Sequence, residues 1–441
     1  MQMRLSPPRL VLLSFAAAIL VGSAVLSLPG MTVTAGSLPY IDALFTSASA
    51  VCVTGLVTVD TATVFTPLGK FVIAALIQIG GLGIMTSATL LFLLAGRRIG
   101  LQGRLIIRES LGHIRLAGIV RLVVAVLAMT ALFETAGALV LAGDLMLNHG
   151  YDATRALGYG AFHSVSAFNN AGFALFSDNL EGFRDDTVVS LTIALLVVAG
   201  GLGFPVWLDL VSRRGRRIFS LQTKMVVLVS GSLIVVGMLA FLALEWTSPE
   251  LAGLSLVDKA TVALFQGITP RTAGFNTVSL ANLAPGTVFL FIVLMFIGAS
   301  PESTGGGIKT TTFGIIMASI WASVRGASDV EFASRRIGQS QVVKALTVAV
   351  ASAAFVMLIT LLLLDTAQDI PLSVGLFEVV SAFGTVGLSL GLTPHLTLAG
   401  KLLIILTMYA GRVGTLTLGV ALIARRRPLA RRLPEELLPT G

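Results

Sequence analysis

Four stretches of the chain carry one glycine-ended pattern, and its chemistry is that of a cation site built from backbone carbonyls. Aligned on a shared glycine they read FTSASAVCVTGL (45–56), FHSVSAFNNAGF (162–173), LFQGITPRTAGF (264–275) and FEVVSAFGTVGL (377–388). Ten residues before the glycine stands Phe or Leu. Six before stands Ser, except at Ile268, and five before stands Ala or Thr. The shared positions are Gly55, Gly172, Gly274 and Gly387, spaced 117, 102 and 113 residues apart. Recurrence at this spacing is an internal repeat. A dehydrated cation needs a ring of carbonyl oxygens in place of its hydration shell. Turning carbonyls one way requires positive φ, which glycine adopts without steric cost. The candidate ion-binding residues are therefore Cys52, Val53, Thr54 and Gly55; Asn169, Asn170, Ala171 and Gly172; Arg271, Thr272, Ala273 and Gly274; and Gly384, Thr385, Val386 and Gly387.

The elements that must hold such loops are membrane helices. Of 441 residues 55% are hydrophobic and 12% charged, with mean hydropathy +0.93. Only a polytopic membrane protein hides that much apolar surface. Long outward helices are expected at 10–29, 118–146, 224–246 and 344–364, and return helices at 67–95, 187–212, 286–324 and 399–424. Between each pair lies a short segment, at 40–51, 157–168, 256–270 and 372–383, too short to span and so re-entrant. The predicted fold is all-α: four helix–pore-loop–helix units around one pore, with eight spanning helices and four pore helices. The repeats run over 1–96, 97–218, 219–326 (with a broken return helix) and 327–441 (with a basic tail), as one integrated membrane domain.

Twenty-two of the 30 Lys and Arg fall in blocks at 4–9, 97–121, 213–224, 325–344 and 425–432, between or outside the apolar runs. That distribution is the positive-inside pattern, and it places both termini in the cytoplasm. It also argues against nucleic acid as the partner of a chain with net charge +8. The single cysteine, Cys52, excludes a disulfide framework. Each return helix carries a glycine-rich patch, at 79–83, 199–203, 297–309 and 409–414, read as close packing or a kink. Pro301 and Gly305–Gly307 interrupt an apolar run, where Glu302 and Lys309 are tolerable only in a wet cavity. Glu134 and Glu378 lie in apolar segments; Glu378 is read as holding the fourth loop from behind by hydrogen bonds, with ion contact as the alternative, and Glu134 as a similar packing group. Arg271 is expected to point away from the axis. Asp60 and Asp178 are either cation-concentrating acids or ordinary solvated loop acids.

The strings HSVSAFNNAGF (163–173), TPRTAGFNT (269–277), PESTGGGIKTTT (301–312) and SAFGTVGLS (381–389) resemble the ion-conducting subunit of the Ktr/Trk/HKT potassium-transporter superfamily, nearest its KtrB type. The similarity covers nearly the whole chain. It implies K+ as the transported ion, with Na+ as a candidate activator and sodium or mixed cation transport as the alternative. It implies a homodimer with one pore per subunit in a bacterial plasma membrane. A cytoplasmic RCK-type ring of the KtrA/KtrC kind would supply any nucleotide dependence. It further implies a gate at Ala299–Thr312, including Ser303, Thr304, Gly305, Gly306, Gly307 and Lys309. Arg412 matches the arginine that the family places under the filter, acting as an electrostatic barrier or as a tie to the gate loop or Glu378. In the plant relatives a serine at the first filter glycine goes with sodium, so Gly55 leans toward potassium. An intramembrane protease is disfavoured, because His113, His149, His163 and His395 are scattered and no paired-aspartate or HExxH pattern occurs.

Overall fold

The computed structural model describes residues 7–34, 36, 38–83, 119–211, 219–367 and 369–414. The described chain is helical. The outward helices are α1 (Pro7–Leu26), α4 (Ile119–Leu147), α8 (Leu221–Glu245) and α12 (Gln339–Asp365). The short helices are α2 (Tyr40–Cys52), α5 (Ala153–Phe168), α9 (Leu256–Ile268) and α13 (Leu372–Gly384). The return segments comprise α3 (Pro67–Leu82), α6 (Thr187–Gly201) with α7 (Phe204–Val211), α10 (Pro285–Phe296) with α11 (Thr310–Val324), and α14 (Leu398–Val413).

Two return segments are interrupted: the third, where its Pro and Gly residues predict a break, and the second. Among the described residues four helices are long and apolar enough to cross a membrane, or five if the pair α6–α7 counts as one span. That pair bends by 93° at Leu202–Gly203, so the helix expected over 187–212 takes the kink that its glycine patch allowed. Gly203 at the break has φ 89°, a conformation that ends a helix. Helices α3 and α14 stop at Gly83 and Gly414, with φ 80° and 91°. The expected continuations to 95 and 424, the boundaries at 96/97 and 218/219, and the basic runs at 97–115, 213–217 and 425–432 lie outside the described residues. A hairpin of β1 (Val330–Phe332) and β2 (Arg335–Ile337) stands in the third connection, with Ala333 and Ser334 both at positive φ. That is the turn whose twist matches paired strands.

Local chemistry explains where the helices begin. Asp152 and Ser255 cap α5 and α9 by accepting from Arg155 N and Asp258 N. Helices α3 and α14 start alike, at Thr66-Pro-Leu-Gly-Lys and Thr397-Leu-Ala-Gly-Lys, where each threonine hydroxyl accepts from the glycine amide three residues on. Lys401 then pairs with Asp42 of α2 at 2.5 Å, and Tyr409 Oη donates to Leu12 O at 2.7 Å. The last repeat is thereby joined to the first.

The return-helix glycines do the packing work. A Cβ on Gly80, Gly200 or Gly411 would collide with the carbonyl of Val51, Phe168 or Phe383, at the last turns of α2, α5 and α13. Small residues let backbones approach this closely. Helices α3, α6 and α14 thus each press on the end of their own short helix, while Gly298 in the third return segment packs on the backbone of Gly306 instead.

Candidate functional site

The short helices α2, α5, α9 and α13 end at the four glycine loops, which share one backbone geometry. Val53 and Gly55 have φ of 57° and 93°, and Asn170 and Gly172 have 59° and 67°. Thr272 and Gly274 have 72° and 75°, and Thr385 and Gly387 have 50° and 96°. The residue between each pair keeps negative φ. Alternation of handedness turns successive carbonyls to one side, the geometry a cation ring needs. Three of the non-glycine positions are β-branched, for which positive φ is a costly outlier held only by its surroundings.

The loops close into a ring. A Cβ on Gly55 would stand 2.5 Å from Ala171 O, and one on Gly172 would stand 2.9 Å from Ala273 O. One on Gly274 would collide with Val386 O, and one on Gly387 with Thr54 O. Each glycine therefore abuts the carbonyl before the next loop's glycine, and the fourth returns to the first.

Hydroxyls brace the loops from behind. Ser49 and Ser381 accept from Gly55 N at 3.0 Å and Gly387 N at 3.1 Å. Ser166 Oγ donates to Phe173 O at 2.8 Å. In the third loop, where Ile268 replaces serine, Thr269 Oγ1 donates to Phe275 O instead. Here the amide before the glycine bonds four residues back (Ala273 N to Thr269 O), whereas in the other loops it bonds five back. The Arg271 guanidinium is turned away onto α8, donating to Ser230 O and Oγ at 3.2 and 3.0 Å. Arg271 therefore does not bring its charge to the ring. Glu378 accepts from Ser389 at 2.8 Å and from Thr393, behind the fourth loop. Glu134 accepts from Asn169 at 3.0 Å. Cys52 is buried at the end of α2.

The segment 297–309 between α10 and α11 lies directly against the loops. Thr304 N and Ser300 N donate to Gly200 O and Gly201 O at 3.3 and 3.2 Å. Thr304 Oγ1 is 3.1 Å from the Asn170 amide, which lies 3.1 Å from Thr272 Oγ1. Gly305 packs on Thr272, and Gly306 N donates to Thr385 Oγ1 at 2.9 Å. Gly307 takes φ 69° at the return of the loop. Ser303 Oγ and Lys309 Nζ close it internally, donating to Ser300 O at 2.6 Å and Gly305 O at 2.8 Å. Arg412 donates to Thr304 O and to Gly80 O, spanning from α14 to the loop and to α3.

A cavity opens beyond the glycines, lined by Gly55, Gly387, Ser177, Glu181 and Asn276. Its acid is Glu181, a residue the spacing argument did not single out. Asp60 instead caps a single helical turn, accepting from Ala62 N at 2.9 Å and from Ser177 Oγ at 2.6 Å. Asp178 accepts from Gly182 N at 3.0 Å. Burial, then the neighbouring charges of Glu250 and Asp178, hold the Glu181 carboxyl above the ordinary range.

Comparison with known proteins agrees with this architecture. The family TrkH, described as cation transport protein, matches residues 16–427. The chain is 42% identical to Ktr system potassium uptake protein B of Bacillus subtilis, over 94% of this chain and 92% of that protein. It is 36% identical to the potassium/sodium uptake protein NtpJ of Enterococcus hirae, over 99% and 98%. The crystal structure of the potassium transporter TrkH from Vibrio parahaemolyticus superposes with TM-score 0.74 at 19% identity, covering 96% of this chain and 86% of that one; it shows the fold. These relatives are named as transporters rather than enzymes. The resemblance read from the four loop motifs holds along nearly the whole length, and the chain belongs to the TrkH family of cation transport proteins.

Proposed function

We propose that the protein carries potassium into the cell through the ring of Gly55, Gly172, Gly274 and Gly387, and that the 297–309 segment is its gate. The observation that carries this reading is the closed ring itself: four loops with alternating φ, each glycine set against the carbonyl of the next. Carbonyls of Val53–Gly55, Asn170–Gly172, Thr272–Gly274 and Thr385–Gly387 line the path, and the C-terminal ends of α2, α5, α9 and α13 favour a cation at its centre. The return segments, two of them bent or interrupted beneath the ring, complete eight membrane crossings with both termini in the cytoplasm of a plasma-membrane protein. Irregular backbone at that depth is tolerated because it lines a cavity. Thr304–Gly306 stops the path, and Arg412 places a positive charge there and fastens the loop.

The name "Ktr system" supports a regulatory partner, and an RCK-type ring on the basic face of a homodimer fits it. The potassium/sodium name of the Enterococcus relative supports a second reading, mixed transport of both ions. The deciding experiment expresses the chain in cells lacking potassium uptake, with and without a regulatory ring, and measures rubidium influx and growth at low potassium. No influx in either case, with protein present in the membrane, refutes the proposal. Sodium competing with rubidium at equal concentration favours mixed transport. Co-purification with the ring tests the partner.

A further inference from the structure

Away from the pore, three side chains converge where α4 ends and α6 begins. The turn after α4 brings His149 back over the helix end, through Gly150 at φ 69° and a hydrogen bond from Tyr151 N to Leu145 O at 3.0 Å. His149 Nε2 then lies 2.7 Å from Asp186 Oδ2 and 3.6 Å from Asp144 Oδ2. The three ligand atoms all lie within 4.8 Å of one another. The ring stands edge-on to Phe183 at 4.9 Å, which fixes its plane.

Both carboxylates are oriented by one oxygen and present the other. Asp186 Oδ1 accepts from Val188 N and Val189 N at the start of α6, at 2.9 and 3.0 Å. Asp144 Oδ1 accepts from Asn148 Nδ2 at 2.7 Å. Asp144 is 6% exposed, yet its Oδ2 accepts no hydrogen bond. An unpartnered buried carboxylate oxygen is costly, and something must compensate it. A protonated imidazole accounts for the contact to Asp186 but stands 3.6 Å from Asp144 Oδ2, and a proton shared by the two carboxylates would neutralise Asp144 without using the imidazole. A metal dication satisfies all three atoms at once.

We propose that Asp144, His149 and Asp186 bind a zinc-class transition-metal dication that ties the end of α4 to the start of α6. One imidazole nitrogen and two carboxylate oxygens form a borderline ligand set suited to zinc, cobalt or nickel rather than magnesium or calcium. Tetrahedral zinc holds such ligand atoms about 3.4 Å apart, so the 2.7 Å contact of His149 to Asp186 must open while the 3.6 Å contact to Asp144 closes slightly. The half-exposed His149 leaves an open side for a water as fourth ligand. The oxygens not facing the ion are held by Asn148 and the α6 amides, the outer bonds that orient metal ligands. In the orientation proposed above, the site lies on the outer face, within reach of external metal.

The test uses the full-length protein, purified with its tag removed. Zinc is titrated against a chromophoric chelator, and cobalt absorption is recorded in the visible range. Expected are one saturable zinc per chain, a cobalt spectrum of tetrahedral intensity, and no displacement by excess magnesium or calcium. His149→Ala is expected to weaken binding roughly tenfold or more and to abolish the cobalt bands, with helical content by circular dichroism as the control for folding. His395→Ala is expected to change nothing. No saturable binding, or binding equal in His149→Ala and the unmodified protein, overturns the proposal.

Discussion

Arg412 can act as a charge in the pore or as a fastener of the loop, and replacing it by lysine separates the two. Its guanidinium spans two carbonyls on different elements, Thr304 O in the loop and Gly80 O in α3. A lysine keeps the positive charge, but its single ammonium cannot bridge both positions. A hydrogen bond from a charged donor contributes about 1.5–3 kcal/mol. Losing one from the closed arrangement therefore shifts the closed-to-open ratio by about tenfold to a hundredfold. Arg412→Gln removes the charge and most of the fastening together. Rubidium flux into proteoliposomes measures the outcome, with thermal unfolding as the control for folding. If Arg412 fastens the loop, Arg412→Lys raises flux toward the level of Arg412→Gln. If the residue is only a barrier, Arg412→Lys conducts like the unmodified protein and only Arg412→Gln rises. The second result would refute the fastening role.

Gly172→Ala puts a Cβ at φ 67° and 2.8 Å from Gly274 Cα, so it is expected to abolish selective rubidium uptake; Gly143→Ala, in open space on α4, is the matched control and leaves uptake unchanged. Gly80→Ala is not such a control, since its Cβ strikes Val51 O and disturbs the first loop from behind. Glu181→Gln tests the mouth. The carboxyl is held above the ordinary range, so its negative charge is present above that raised pKa and is lost as pH falls through it. Acidifying the outer solution is expected to weaken apparent potassium affinity about threefold in that window. The variant should start at the weaker affinity and lose this part of the pH dependence.

Much of the arrangement was legible because hydrophobic length and glycine spacing are long-range signals. The outward helices and short helices begin and end within a few residues of their expected limits, since apolar runs mark them, although the cap at Asp152 starts α5 four residues before the expected 157. The bend at Gly203 falls in the glycine patch 199–203, read as close packing or a kink, and only its size was hidden by the apolar residues on both sides. The hairpin at 330–337 carries a turn made by Ala333-Ser334, which lacks the Asn-Gly signature of that geometry. The positive φ at Val53, Thr272 and Thr385 has no sequence mark, because β-branched residues disfavour it. It is imposed by the ends of the short helices and by neighbours from other repeats. The same holds for Glu181, whose place in the mouth depends on how distant loops meet.

The 297–309 loop, the gate proposed above, belongs to one repeat, yet its fastenings come from all four. The first supplies Gly80 O through Arg412, and the second supplies Gly200 O and the Asn170 amide. The third supplies Thr272 beside Gly305, and the fourth supplies Thr385 Oγ1 for Gly306 N as well as Arg412 itself. Thr304 and Gly306 are two residues apart, so a loop released as one unit would feel both ties in the same step. Thr385→Val keeps the side-chain shape but leaves Gly306 N unpartnered, which costs the closed state about 1–3 kcal/mol. Combined with Arg412→Lys, the free energies of opening should add, and the double variant should conduct by roughly the product of the two single increases. A loop that peels from one end would break one tie before the other. The double variant would then conduct no more than the stronger single variant, and release as a unit would be refuted.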